Sequence, residues 1–167
     1  MKIPIVDEED NLICYKDANE RDPKKEITRT SALWLINELG EVLVAKRSIN
    51  KRYHPGLWGC SVTGVNEEGE TYESNIIKEV QEELGYNLEE IITGYKELIS
   101  SERSFFVQHF FAKIPQNTKF VLQKIEVEEV RWVKLEDLEN WAYKFPAEFN
   151  PHFKHSIKAI KKHANKS

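Results

Sequence analysis

Apolar residues along the chain fall mainly into short runs, separated by polar segments that carry turn-forming residues. Short runs of this kind predict β-strands. Two of them predict an N-terminal hairpin, and a charged segment at residues 16–28 predicts an exposed loop that joins this hairpin to the main body. The predicted strands are residues 3–7, 12–15, 31–36, 42–45, 57–63, 91–98, 105–113 and 127–133.

Helical spacing of apolar residues occurs in three later segments. Residues 72–84 predict a helix, because Thr71 can cap its start and Gly85 can end it. Residues 135–141 predict a short acidic helix, and the last helix is expected to begin at Asn150. The apolar face of the first of these helices would hold Ile76, Ile77, Val80 and Leu84, and that of the last would hold Phe153, Ile157, Ile160 and Ala164. Strands interrupted by helices in this order predict a mixed α/β (α+β) fold.

Composition narrows the class of protein. A chain of 167 residues with 40% hydrophobic residues can bury a core without disulfides or metals. The net charge of −4 argues against broad nucleic-acid binding. Cys14 and Cys60 have no metal-ligand spacing and are expected to be reduced thiols. No apolar run has the length of a membrane span, and acidic residues follow the first six positions, so we expect a cytoplasmic protein without membrane contact.

Three glutamates crowd one face of the first predicted helix. Glu79, Glu82 and Glu83 stand at positions i, i+3 and i+4, where like charges destabilise a helix by a few tenths of a kcal/mol per pair. A divalent cation such as Mg²⁺ would offset this repulsion, since hard cations bind carboxylate oxygens and substrate phosphates together. A solvent-exposed acidic helix would show the same spacing, so the glutamates alone leave both interpretations open.

Glycines at set distances from these glutamates distinguish the two interpretations. The segment 64–86 resembles the Nudix box, G-x5-E-x7-R-E-U-x-E-E-x-G-U, in which U is a bulky apolar residue. Lys78 stands where the box has arginine, and Tyr86 fills the last position with an aromatic ring. The matching positions are Gly64, Glu70, Glu79, Val80, Glu82, Glu83 and Gly85. The resemblance to the Nudix hydrolase superfamily extends over residues 28–142.

This resemblance implies an α/β/α sandwich with a mixed central sheet. Residues 28–167 would form the Nudix domain, preceded by the hairpin and loop of residues 1–27. The implied activity is that of a pyrophosphohydrolase that uses Mg²⁺, with Mn²⁺ as an alternative. Its substrate would be a small molecule, a nucleoside diphosphate linked to another moiety. Family members often dimerise, which is the only basis for expecting a homodimer.

The resemblance also implies roles for individual residues. The metal ligands would be Glu79, Glu82, Glu83 and the carbonyl of Gly64, with Glu70 and Lys78 in support. Lysine keeps the charge of the box arginine but loses its two-pronged geometry, which predicts a working but slower site. The catalytic base would be Glu82 or Glu83, with Glu128 or Glu129 on a later segment as alternatives. Positive charge near the diphosphate would come from Arg29, Lys46, Arg47 and Lys51, of which we expect half to be ordinary surface cations.

The layout of the chain looks like that of the isopentenyl-diphosphate isomerase-like Nudix proteins. A true isomerase has a cysteine just before the box glycine and a metal-binding histidine just after it. Here those positions hold Thr63 and Val65, and Cys60 is predicted to point to the opposite face of its strand from Thr63. A hydrolase is therefore expected. An isomerase-like protein and a non-catalytic nucleotide-binding domain stay as alternatives.

Overall fold

The computed structural model describes residues 1–166, in which nine β-strands and three α-helices occur. The strands are β1 (Lys2–Val6), β2 (Leu12–Asp17), β3 (Thr28–Ile36), β4 (Glu41–Arg47), β5 (Trp58–Gly59), β6 (Val62–Val65), β7 (Ile92–Ser100), β8 (Ser104–Lys113) and β9 (Val127–Lys134). The helices are α1 (Tyr72–Leu84), α2 (Leu135–Lys144) and α3 (Phe153–Ala164). The described part of the chain holds no helix with the length and apolar character that crossing a membrane requires.

Seven strands form a mixed sheet, and β1 and β2 form a separate antiparallel hairpin. In the sheet β3 runs parallel to β8 from the pair Thr28–Phe105 onward, and the other pairings are antiparallel. Strand β3 pairs with β4 only at Ile36 and Val42, because farther along β6 pairs with β3 while β5 and β9 pair with β4. The sheet therefore has two halves that are joined at one end.

Side chains of β3 alternate between two hydrophobic cores, as the period of a strand requires. Leu33 and Leu35 face the α1 side and are completely buried, whereas Trp34 packs with α3 on the other side. Helix α1 covers one face of the sheet, and α2 and α3 cover the other. This arrangement confirms the predicted α/β/α sandwich with a mixed central sheet.

Helix α1 has the bounds that the sequence predicts. The Thr71 hydroxyl accepts a hydrogen bond from the Ser74 amide, and the Ser74 hydroxyl accepts one from the Thr71 amide, which closes a capping box. Gly85 ends the helix in the left-handed conformation, at φ 63°. Ile77 was predicted to face the core, but it is 37% exposed. The polar residue Asn75 is buried in its place because it binds the loop before the helix.

The predicted strand at residues 57–63 is wrong, because it is interrupted at Cys60 and Ser61. The Ser61 hydroxyl donates to the Leu43 carbonyl and accepts from the Leu35 amide, at 2.6 and 2.8 Å. It thus occupies the gap between β3 and β4, where the two halves of the sheet separate. This side-chain bridge takes the place of strand pairing and leaves the short strands β5 and β6 on either side.

The start of the last helix also differs from the prediction. Asn150 does not begin the helix, because its side chain and carbonyl accept hydrogen bonds from the amides of His152 and Phe153 in a separate turn. The helix follows at Phe153. Ala164, which was assigned to the apolar face, is exposed, whereas Ala159, which was not, is buried.

Asp10 attaches the N-terminal hairpin to the rest of the molecule. Its side chain, only 6% exposed, accepts hydrogen bonds from Arg29 at 2.7 Å, Lys96 at 2.6 Å and the Tyr72 hydroxyl at 2.9 Å. Burial alone would raise the pKa of Asp10, but these three hydrogen bonds outweigh burial and lower it. The ionised form of Asp10 therefore stabilises the contact between hairpin and core.

We predict that Asp10→Asn lowers the free energy of unfolding by about 2–3 kcal/mol, because two cations lose a buried charged partner. Chemical unfolding at pH 7 measures this, with the exposed neighbour Glu9→Gln as the matched control. The difference from the wild type should be complete above the pKa of an unfolded aspartate, about 3.9, and should vanish as the pH falls through the lowered folded pKa. A difference that persists in strong acid would contradict this assignment.

Candidate active site

A cleft of about 830 Å³ lies beside the acidic face of α1. We call it the acidic cleft. It is bounded by β6, by α1 and by the segment that precedes β9. Its lining includes the glycine Gly64 and the charged residues Arg47, Lys51, Glu79, Glu82, Glu83 and Glu126. The structure thus brings together the box glycine and all three helix glutamates that the sequence predicts as metal ligands.

Gly64 allows α1 to approach β6 closely. A Cβ atom at this position would lie 2.5 Å from Cγ and 2.9 Å from Oε1 of Glu79. Real Cβ atoms do not make contacts this short, so any larger residue would displace the Glu79 side chain. The box glycine is therefore required for the position of Glu79, whatever its carbonyl binds.

Burial and mutual repulsion act strongly on the carboxylates of the acidic cleft. Burial, together with the charges of Glu82 and Glu126, raises the pKa of Glu79 to about 7, although Lys78 opposes the shift. Burial and the charges of Glu79 and Glu126 raise the pKa of Glu83 to about 8. The cations of the protein therefore offset only part of the negative charge that these residues carry when ionised.

This set of groups fits a hard divalent cation. Carboxylate oxygens are the ligands that Mg²⁺ prefers, and few other groups would stabilise ionised Glu79 and Glu83 at such depth. In residues 1–166, no three carboxylate, imidazole or thiol side chains already surround one point in ligand geometry. Glutamate side chains rotate about several bonds, so those that line the cleft can turn toward a shared ion without a change in the backbone.

Lys78 occupies the centre of a group of charges next to the cleft. Its Nζ atom lies 2.5 Å from Glu70 Oε1, 3.7 Å from Glu67 and 3.9 Å from Glu79. The second oxygen of Glu70 accepts hydrogen bonds from the Glu67 amide and from Asn75 Nδ2. Lys78 and Glu70 therefore hold the loop before α1 against the helix that carries the acidic residues.

Asn75 belongs to this support, and the sequence did not predict it. Its side-chain amide donates to Glu70 and to the Val65 carbonyl while the residue is completely buried. The available signal was a polar residue directly beside Ile76, on the face of α1 that is otherwise apolar.

The four predicted substrate-binding cations separate into two pairs. Arg47 and Lys51 line the acidic cleft, and Lys51 lies 2.5 Å from Glu126. Arg29 instead donates to the side chain and the carbonyl of Asp10. Lys46 lies outside the acidic cleft, 3.9 Å from Glu128. The charge of Arg29 is therefore used within the protein, in the contact that holds the hairpin.

Glu129 does not reach the acidic cleft, although the sequence makes it a candidate base. It is 45% exposed and pairs with Arg131 on β9. Glu126, three residues earlier, lines the cleft in its place and raises the pKa of both Glu79 and Glu83. The pairing of β4 with β9 shifts register between Lys46, which pairs with Glu129, and Arg47, which pairs with Val127. This shift affects which glutamate of the segment faces the site, and a single sequence does not reveal it.

A second, more enclosed cavity of about 260 Å³ lies deeper, between the sheet and the start of α3. We call it the inner pocket. It shares Thr63, Arg47 and Glu83 with the acidic cleft, so the two spaces are joined. Cys60 lines the same pocket as Thr63, which corrects the prediction of opposite faces, because the strand between them is interrupted. Burial raises the pKa of the Cys60 thiol to about 11, which keeps it neutral.

Comparison with known proteins agrees with this geometry. The sequence pattern of the NUDIX domain matches residues 26–153. An uncharacterized Nudix hydrolase of Listeria monocytogenes is 36% identical over 119 residues, which cover 71% of this chain and 69% of that protein. An isopentenyl-diphosphate Delta-isomerase of Salmonella heidelberg is 42% identical over 62 residues, which cover 37% of this chain and 34% of the isomerase.

A solved structure supports the same fold. A protein of Deinococcus radiodurans superimposes with a TM-score of 0.80 at 18% identity, covering 95% of this chain and 98% of the other. The box residues that line the acidic cleft, the matched domain and the Listeria relative lead to one conclusion. The chain belongs to the Nudix hydrolase family, and it is a hydrolase of pyrophosphate bonds.

Proposed function

We propose that the protein requires a divalent metal ion, Mg²⁺ or Mn²⁺, and cleaves a nucleoside diphosphate linked to another moiety. The observation that carries this proposal is the gathering of Glu79, Glu82 and Glu83 around Gly64 in one cleft. Bound there, the metal ion would make water a better nucleophile at neutral pH and would offset charge on the phosphate oxygens.

The residues of the cleft then have distinct roles. Glu79, Glu82 and Glu83 hold the metal ion, and Gly64 permits the close position of Glu79. Arg47 and Lys51, which line the same cleft, attract the diphosphate. Water attacks one phosphorus, the bridging P–O bond breaks, and the second phosphate leaves with the bond electrons.

A carboxylate in the cleft accepts the proton of the attacking water. Glu82, Glu83 and Glu126 have the required position, because all three line the acidic cleft. Glu129 does not, since it pairs with Arg131 outside the cleft. The base is therefore assigned to this group of three.

Isomerisation is the weaker candidate. The similarity to the isomerase is confined to about a third of each chain. Thr63 and Val65 stand where an isomerase of this type has its cysteine and histidine, and neither side chain can replace them. Cys60 does not substitute as an acid, because burial raises its pKa to about 11.

We predict that Glu82→Gln lowers the turnover number roughly 100-fold or more, because metal-assisted catalysis contributes several kcal/mol. The assay is a panel of nucleoside triphosphates, dinucleoside polyphosphates, nucleotide sugars, CDP-alcohols, dinucleotides and isopentenyl diphosphate, each with Mg²⁺ or Mn²⁺. Glu73→Gln is the matched control, since Glu73 is exposed on the same helix and lies outside the cleft.

Two outcomes of this panel would overturn parts of the proposal. Unchanged turnover in Glu82→Gln would remove Glu82 from the mechanism. If the wild type binds metal tightly but cleaves nothing in the panel, the non-catalytic nucleotide-binding domain becomes the better account.

Lys78 provides a second test, because its contacts explain how lysine serves in place of the box arginine. We predict that Lys78→Gln lowers kcat/KM about tenfold, since Glu70 and Glu79 lose their shared cation. Lys78→Arg should retain or exceed wild-type activity, because it restores the residue of the box. The exposed Lys119→Gln is the control. Equal activity of Lys78→Gln and the control would refute this role.

A further inference from the structure

Three arginines without a carboxylate ion pair among the described residues line the inner pocket. Arg21, Arg47 and Arg103 all line it, and no carboxylate of residues 1–166 forms an ion pair with any of them within 4.0 Å. By contrast, Arg29 and Arg131 each pair with a carboxylate elsewhere. Unpaired guanidinium groups in a partly buried space are costly unless an anion accompanies them.

The contacts of Arg21 and Arg103 with the protein leave some of their guanidinium N–H donors without a partner in residues 1–166. The Arg21 guanidinium donates to the carbonyls of Glu26 and Ser104, while its buried Nε–H has no partner. Arg103 lies over the ring of Tyr53, with its central carbon 4.5 Å from the ring centroid. Stacking on an aromatic ring orients a guanidinium group without using its N–H donors.

The first turn of α3 adds to the positive potential. Asn150, His152, Phe153 and Ser156, at and just before the start of this 12-residue helix, line the inner pocket. The helix has no side-chain cap and no acidic residue in its first turn. The amides of His152, Phe153 and His155 already donate within this turn, so the helix contributes its dipole, which favours an anion in the pocket. Burial and the charge of Arg103 lower the pKa of both His54 and His152, which indicates the same field.

Among residues 1–166, the carboxylates that line the inner pocket also line the acidic cleft. Glu83 and Glu126 line both spaces, and both attract Arg47 there. Farther in, the walls are formed by rings, with Phe105 and His152 in edge contact at 5.3 Å and Trp58 nearby. The substrate site thus has an acidic half, suited to a metal ion and a diphosphate, and a cationic half.

We propose that the inner pocket binds a phosphate monoester that the substrate carries in addition to the scissile diphosphate. This specifies the substrate class of the proposed hydrolase, and it rests on that function. Arg103 and Arg21 contact the monoester, the start of α3 faces it, and the aromatic walls hold the organic part between the two phosphate groups.

Binding of inorganic phosphate tests the pocket without any reaction. We expect calorimetry in EDTA to show phosphate binding to the wild type, weakened about tenfold or more in Arg103→Gln. Arg52→Gln is the matched control, because Arg52 lies over the same Tyr53 ring but does not line the pocket. Absence of wild-type binding, or equal weakening in both variants, would overturn the proposal.

Substrate pairs that differ by one phosphate monoester test its use in catalysis. Suitable pairs are NADPH with NADH and coenzyme A with dephospho-coenzyme A. In the pair that is cleaved, we expect about tenfold higher kcat/KM for the member that carries the monoester. Arg103→Gln should abolish this preference by raising KM for that member. Cleavage without preference would refute the pocket and leave the hydrolase intact. Failure to cleave any diphosphate would refute the function, while phosphate calorimetry would still decide on the pocket.

Discussion

The placement of Glu79 against Gly64 is the constraint on which the site depends. Helix α1 is pressed onto the sheet by its buried residues Ile76 and Val80, and the bare backbone of Gly64 gives Glu79 room at the contact. The same packing that stabilises the domain therefore holds Glu79 and Glu83 in a cleft where they are partly buried and repel each other. Burial energy in the core maintains a charge arrangement that would be unfavourable by itself.

The divided sheet determines where the substrate can lie. Ser61 bridges β3 and β4 with its hydroxyl, and beyond it the two halves of the sheet pair with different neighbours. The acidic cleft and the inner pocket meet at Thr63 and Glu83, beside this division. The acidic cleft and the cationic inner pocket adjoin each other and differ in charge. They would therefore bind different ends of one substrate, with a metal-bound diphosphate in the acidic cleft.

Local patterns predicted the elements well and their contacts less well. The bounds of α1 followed from Thr71 and Gly85, because capping depends on neighbouring residues only. The break at Ser61, by contrast, depends on β3 and β4, which are distant in sequence. The Asn150 side chain forms a turn with the His152 amide, and α3 therefore begins at Phe153 rather than at Asn150.

Among the site residues, those placed by local spacing were predicted and those placed by distant contacts were not. The spacing of the box brought Gly64 and three glutamates into one cleft, because a strand, a loop and a helix of fixed length carry them. Arg29 was assigned to the substrate, yet Asp10 binds it, a contact that requires the hairpin to fold back on the domain. Arg103 and Arg21 lack any local motif, and only the tertiary structure places them in one pocket.

We propose that the carboxylates of the acidic cleft are arranged for a divalent cation, at some cost to the stability of the metal-free protein. Thermal unfolding of the wild type and of Glu79→Gln, each in EDTA and in Mg²⁺, tests it directly. The wild-type midpoint should rise by about 5–10 °C at a Mg²⁺ concentration 100-fold above its Kd. Glu79→Gln should unfold above the wild type in EDTA, because repulsion is relieved, and should gain nothing from Mg²⁺. Equal midpoints of the wild type with and without Mg²⁺ would contradict this proposal.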